Sequence, residues 1–321
     1  MPNNRKCAII GVGNVGATTA FSLMQSGLFS ELVLIDIDKD RAIGEAEDLG
    51  HALPFLSPME IYAGDYPDLS DAALIIIAAG AAQKSGETRL DLVRKNTEIF
   101  RTVIQNICQY NQNAILLTVT NPVDILTEVA RRLSGFPAER VIGSGTVLDT
   151  ARLKFLLGQH LGVDARHVHA FIIGEHGDTE LPVFSSANIS GIDLDHFCNE
   201  DCPECRHSDL QRLFEQTRDA AYRIITAKGS TYYAVAEAVR RIATAIFRDE
   251  SAILPVSVFV NGAYGLHGLS LSVPCVLGRN GVKRILEIPL SEHERQLLLH
   301  SAARMKAVLC EIGFADTFVQ V

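Results

Sequence analysis

One short stretch limits the fold of this chain more than any other. The apolar run Lys6 to Ile10 passes directly into Gly11-Val12-Gly13-Asn14-Val15-Gly16, and a helical pattern follows from Val15 to Ser26. A buried strand that turns sharply into a helix through G-x-G-x-x-G uses each glycine differently. One makes the turn, one lets a phosphate approach the backbone, and one brings helix and strand close together. Such a turn also serves plain packing, so its context decides. Here the next apolar run, Glu31 to Asp36, ends on an acid 20 residues beyond Gly16. A carboxylate at that point accepts the two ribose hydroxyls of a dinucleotide and repels a 2′-phosphate, which favours NAD over NADP. The bland rival is that Asp36 merely turns the chain at a strand end. The pyrophosphate is expected at the N-terminus of the helix carrying Val15, where free N–H groups and the helix dipole favour negative charge.

The alternation continues. Ala42–Ala52, Leu92–Tyr110 and Val123–Leu133 have helical spacing, whereas Met59–Ala63, Ala114–Val119 and Val141–Ile142 read as strands. The run Ala72 to Ala79 is almost wholly apolar, as a central strand buried on both faces must be. Strand and helix in strict succession predict a Rossmann-type, doubly wound parallel sheet. The pattern changes near Gly143. Beyond it, helices are expected over 148–161, 210–227 and 232–247, a strand over 167–173, and antiparallel strands over 251–261 and 269–277. A closing helix, 291–313, starts with a capping box of Ser291 and Glu294. The expected division is a NAD-binding domain, 1–143, followed by an α+β substrate domain, 144–321.

Candidate chemistry lies at strand ends. Gly174-Glu175-His176-Gly177-Asp178 follows the apolar run ending at Ile173, and sets a histidine, the natural acid/base near neutral pH, at a strand terminus. Asp149 and Arg152 are one turn apart on one helical face, which is either a surface ion pair or a histidine partner beside a carboxylate grip. Gln83, Lys84 and Arg89 follow the central strand, in a loop with Gly80 and Gly86 suited to closing over a ligand. Asn121 ends another strand on the same edge, although Asn-Pro is also an ordinary turn.

Together these blocks resemble the lactate/malate dehydrogenase family of 2-hydroxy-acid dehydrogenases, from Lys6 to about Gly313. The matching runs are Gly11–Gly16, Gln83–Asn96, Thr120–Asp124, Gly145–Arg152, Gly174–Asp178 and Lys228–Tyr233. The resemblance implies that His176 exchanges the proton, that Asp149 orients it, and that Arg152 holds the substrate carboxylate. It further implies that Arg89 polarises the carbonyl and that Asn121 and Thr231 line the pocket, with Asn121 also touching nicotinamide. Within the family, an arginine at the position of Gln83 looks like the malate signature. An uncharged Gln83 would leave a second substrate carboxylate buried without a cation, at a cost on the order of 3–5 kcal/mol. The run therefore looks like that of bacterial L-lactate dehydrogenases, which reduce pyruvate to (S)-lactate in the last step of lactic fermentation. A malate or other 2-hydroxy-acid dehydrogenase on the same scaffold is the alternative. Lys154 and His169 match the positions through which some bacterial relatives bind the activator fructose 1,6-bisphosphate, with lysine replacing the usual arginine.

Composition narrows the rest. A net charge of −9 without a long basic run argues against nucleic acid as main partner. No apolar segment approaches the roughly 18 residues a membrane span needs. The short polar start and seven cysteines are expected of a cytoplasmic protein with reduced thiols. Cys198, Cys202 and Cys205 invite a zinc reading, but C-x₃-C-x₂-C lacks a second C-x-x-C, and no metal is expected. A homo-oligomer, with a tetramer favoured, follows from the resemblance.

Overall fold

The computed structural model describes residues 3–81, 86–200 and 207–315. Six strands are parallel: β1 (Asn3–Ile10), β2 (Glu31–Ile35), β3 (Glu60–Ala63), β4 (Ala72–Ile77), β5 (Ile115–Thr118) and β6 (Val141–Gly143). Their spatial order is β3-β2-β1-β4-β5-β6, with the winding reversing between β1 and β4. A ligand crevice opens at such a reversal, beyond the carboxyl ends of the strands. The connecting helices are α1 (Asn14–Ser26), α2 (Lys39–Ala52), α3 (Arg89–Tyr110) and α4 (Val123–Ser134). Ile75, Ile76 and Ile77 of β4 are fully buried, as expected of a strand covered by helices on both faces. Thr88 caps α3 through a box with Asp91, so the helix starts at Arg89 and fixes where that arginine leaves the backbone.

The second half contains α5 (Val147–Leu161), β7 (Val168–Ile173), β8 (Leu181–Ile189), β9 (Ile192–Asp193), α6 (Leu194–Glu200), α7 (His207–Arg218), α8 (Ala220–Lys228), α9 (Tyr233–Phe247), β10 (Ile253–Val260), β11 (Leu269–Gly278), β12 (Gly281–Ile285) and α10 (Glu292–Glu311). β7, β8 and β9 form a separate antiparallel sheet. A small core of Leu153, Leu157, Val168, Ile172 and Phe214 ties it to α5 and α7. The capping box on α10 forms as its sequence predicts.

Three features differ from the sequence reading. The expected helix 210–227 is two helices that meet at Asp219, whose φ of −83° and ψ of −5° stay right-handed but open the turn there. Good helix formers on both sides leave no pattern to mark that division. β8, β9, β12 and α6 were not legible either. β8 carries Pro182 and a polar Ser185-Ser186 step inside its apolar run, and β12 is a short strand at the edge of the sheet with Lys283 and Arg284 adjacent within it. Finally, β10 to β12 extend the parallel sheet: Ser257 pairs antiparallel with Gly143, giving nine strands among the described residues. Every residue of β11 is buried, so it needed cover that the smaller sheet does not provide. No described helix is long and apolar enough to cross a membrane.

Candidate active site

The glycine turn sits where β1 meets α1. Gly11 has φ +93° and lies so close to β4 that a Cβ would stand 2.4 Å from the Ala79 nitrogen. A Cβ on Gly16 would stand 1.9 Å from the Gly11 carbonyl oxygen, so helix and turn touch there. Gly13, by contrast, has nothing among the described residues within 4 Å of its Cβ position. It is the N-cap of α1 and offers no side chain to the first-turn N–H groups, which leaves them for an anion. Val15 follows in the first turn. Asp36, just past β2, accepts from the N–H of Val12 at 2.7 Å and of Asp38 at 3.0 Å, which pins its carboxylate against the turn. These residues fit a dinucleotide: open backbone for the diphosphate, and a fixed carboxylate for a ribose.

His176 is held from several directions. Gly174 exchanges backbone hydrogen bonds with Ser272 of β11, at 2.9 and 3.2 Å, which fastens the end of β7 to the large sheet. The N–H of Glu175 donates to Ser301 Oγ of α10 at 2.8 Å, and that of His176 to Asp124 Oδ2 of α4 at 2.7 Å. Asp124 is buried and also accepts from Ser272 Oγ at 2.7 Å. Burial pushes its pKa up, while those donors pull against it.

The ring itself meets Asp149. His176 Nδ1 lies 2.5 Å from Asp149 Oδ2, and Arg152 donates to Asp149 Oδ1 at 2.9 Å. Asp149 and Arg152 are therefore a largely buried pair, not an exposed one, with Asp149 aimed at the imidazole. Burial works against the charged imidazole, but Asp149 above all, with Glu180 and Asp124, outweighs it and raises the pKa of His176 to about 9. Burial likewise opposes the Asp149 carboxylate, yet His176 and Arg152 keep its pKa below the usual range. The outcome is an imidazolium–carboxylate pair at neutral pH. Nδ1 is committed to Asp149, so Nε2 is the nitrogen left for a reacting group.

Other predicted positions fall around this pair. Asn121 is exposed at the end of β5, and its carbonyl accepts from Asn96 Nδ2 at 2.9 Å. Asn96 Oδ1 accepts from the N–H of Ala81 at 2.8 Å, so one asparagine joins the strand end to the loop leaving β4. Thr231 is half-buried in the link before α9, and Asn14 Nδ2 donates to the adjacent Ser230 Oγ at 2.9 Å, which brings that link to the glycine turn. Arg89 contacts Asp178 and lies 3.3 Å from Glu175 Oε1, so its guanidinium rests on the acids flanking His176. Lys154 is half-buried on α5, with burial lowering its pKa, and His169 is exposed on β7, the strand against which α5 packs. Gln83, Lys84, Cys202, Cys205 and the side chain of Cys198 lie outside the described residues. Sequence reasoning missed the contributions of Asp124, Asn96 and Glu180. Asp124 fell inside a recognised block, but nothing in its spacing pointed at the His176 backbone.

Two family descriptions match: "lactate/malate dehydrogenase, NAD binding domain" over residues 5–143, and "lactate/malate dehydrogenase, alpha/beta C-terminal domain" over residues 146–314. The L-lactate dehydrogenase of Acetivibrio thermocellus is 54% identical over 313 residues, covering 96% of this chain and 98% of its own. That of Priestia megaterium is 52% identical over 305 residues, covering 95% and 96%. Among solved structures, a lactate dehydrogenase from a Medee basin deep-sea metagenome library superposes with a TM-score of 0.94 at 44% identity, covering 97% of this chain and 99% of that one. The ligand-bound minor L-lactate dehydrogenase of Enterococcus mundtii gives a TM-score of 0.93 at 38% identity, covering 96% and 98%.

Proposed function

The chain belongs to the lactate/malate dehydrogenase family, and from that premise we propose that it is an NAD-dependent L-lactate dehydrogenase interconverting pyruvate and (S)-lactate. The observation that carries this reading is the 2.5 Å contact of His176 Nδ1 with a buried Asp149 that also binds Arg152. Relatives about half identical over nearly the whole chain carry the same enzyme name.

The roles proposed for the side chains follow from their chemistry. Gly11, Gly13, Val15 and Gly16 form the diphosphate cradle, Asp36 takes the adenosine ribose, and Asn121 lies beside the nicotinamide. When bound, NADH supplies the hydride for the keto carbon. Arg152 holds the substrate carboxylate in its planar fork while remaining paired with Asp149. His176 Nε2 gives its proton to the carbonyl oxygen, and Asp149 keeps the ring charged and oriented until it does. Arg89 leaves Glu175 and Asp178 to stabilise charge growing on that oxygen as the loop excludes water. Gln83 and Thr231 line the end of the pocket that takes the substrate methyl.

The proposal also divides the chain into a cofactor domain, 1–143, and a substrate domain, 144–321. It places the enzyme in the cytoplasm at the end of glycolytic fermentation, as a homo-oligomer and most simply a tetramer. Exposed Phe155, Tyr222, Ile225 and Tyr233 on α5, α8 and α9 supply apolar surface for subunit contacts. Lys154 and His169 are proposed to bind fructose 1,6-bisphosphate between subunits, with lysine acting as a point charge. The test is NADH consumption with pyruvate, oxaloacetate and a branched 2-oxo acid, each with and without the sugar bisphosphate. A preference for oxaloacetate overturns the lactate reading, and equal rates with and without bisphosphate remove the activator site.

A further inference from the structure

One carboxyl beside His176 has no part in the chemistry above. Glu180 ends the turn after Gly177, its N–H donating to the Gly177 carbonyl at 3.3 Å. Its side chain is buried, and Oε1 has no hydrogen-bond donor among the described residues. A buried acid without a donor normally stays protonated, and the position would suit an apolar residue better. The location explains why an acid is there. One nitrogen of His176 and one carboxylate oxygen from each of Asp149 and Glu180 lie within 4.8 Å of one another. The charged groups facing Glu180 are Asp149 and Arg152 from α5, His176 from the loop after β7, and Arg218 from α7. Asp124 at the start of α4 also faces the imidazole.

We propose, on the premise that His176 is the proton donor in pyruvate reduction, that Glu180 is a positioning residue whose carboxyl supplies a second counter-charge to the imidazolium as the medium becomes alkaline. Asp149 carries the negative charge of the cluster, while burial and the nearby Asp149 hold the proton on Glu180 to a pH well above the usual carboxyl range. Rising pH removes that proton to solvent and leaves a carboxylate; no other bond changes. The new charge lies close enough to the ring to hold its proton, so the two groups titrate as a coupled pair. The effect widens the pH range over which the enzyme keeps its acid loaded.

The test is Glu180→Gln, which keeps the shape and cannot ionise. The pH profile of kcat/KM for pyruvate is measured alongside an NMR titration of the histidine rings in the ligand-free protein, with the His176 signal identified by its loss in His176→Asn. The alkaline limb and the ring titration should both move down by about one pH unit, as removal of one nearby counter-charge requires. Glu180→Asp, which retains a carboxyl, should recover part of the shift. Limbs and titrations superimposable on wild type overturn the proposal. Failure of the wild type to reduce pyruvate would instead sink the functional reading, and the ring titration would still decide the role of Glu180.

Discussion

Replacing Asp149 by asparagine tests the centre of the site with little change of shape. The pKa of His176 stands at about 9 against an ordinary 6.5, so its surroundings favour the imidazolium by about 3 kcal/mol. Asp149 is the largest favourable contributor, at 2.5 Å from Nδ1. Without its charge, burial is less opposed, and Arg152, 14% exposed and no longer neutralised, repels a charged ring. The pKa should then fall to 6.5 or below. A ring with a pKa of about 6.5 is about one quarter protonated at pH 7, and one with a pKa of about 5.5 about 3%. Protonation alone therefore lowers pyruvate reduction about 4- to 30-fold. Loss of the fixed ring orientation adds to this, for a total on the order of 10²-fold or more. The assay is kcat/KM for pyruvate from pH 5 to 10, with NADH affinity followed by fluorescence, on the order of wild type because Asp149 is outside the glycine turn. An alkaline limb that stays near the wild-type pH in Asp149→Asn would refute the argument, whatever the loss of rate.

The wild-type pH dependence has a definite sign. Reduction spends the proton on His176, so it should hold below about 9 and fall as the pH rises through that value, while lactate oxidation, which needs the neutral ring, rises there. The same raised pKa stabilises the fold fully below about 6.5, and that contribution fades as the pH passes about 9; denaturation midpoints of wild type and His176→Asn should converge over that window. Gly13→Ala should leave the melting temperature nearly unchanged, since its Cβ meets nothing among the described residues, yet weaken NADH binding about tenfold by filling the phosphate approach. Gly16→Ala, with 1.9 Å to a backbone oxygen, should cost about 3 kcal/mol or more in stability; equal melting temperatures for the two variants would contradict the assigned packing. Gln83→Arg should move the preference toward oxaloacetate by about a hundredfold in the ratio of kcat/KM values, and an unchanged ratio would remove the specificity argument.

Residues whose role is local were legible from the sequence alone. The glycine turn, Asp36 and the strand–helix alternation were readable because a backbone period and a tight turn depend on near neighbours in the chain. The Ser291–Glu294 cap is equally local. His176, Asp149 and Arg152 stood out by residue type and by family likeness, but their spacing left a surface ion pair open. Only the folded chain, which fastens β7 to β11 and brings α5 beneath the imidazole, made that pair buried and joined it to His176. The division of the helix at Asp219, the docking of β10 beside β6, the grip of Asp124 on the His176 backbone and the Glu180 oxygen that meets no donor among the described residues had no signature along the chain. Each depends on which surfaces remain to be covered once the local elements exist. Burial and charge pairing of that kind act between residues far apart in sequence, and so the tertiary structure decided them.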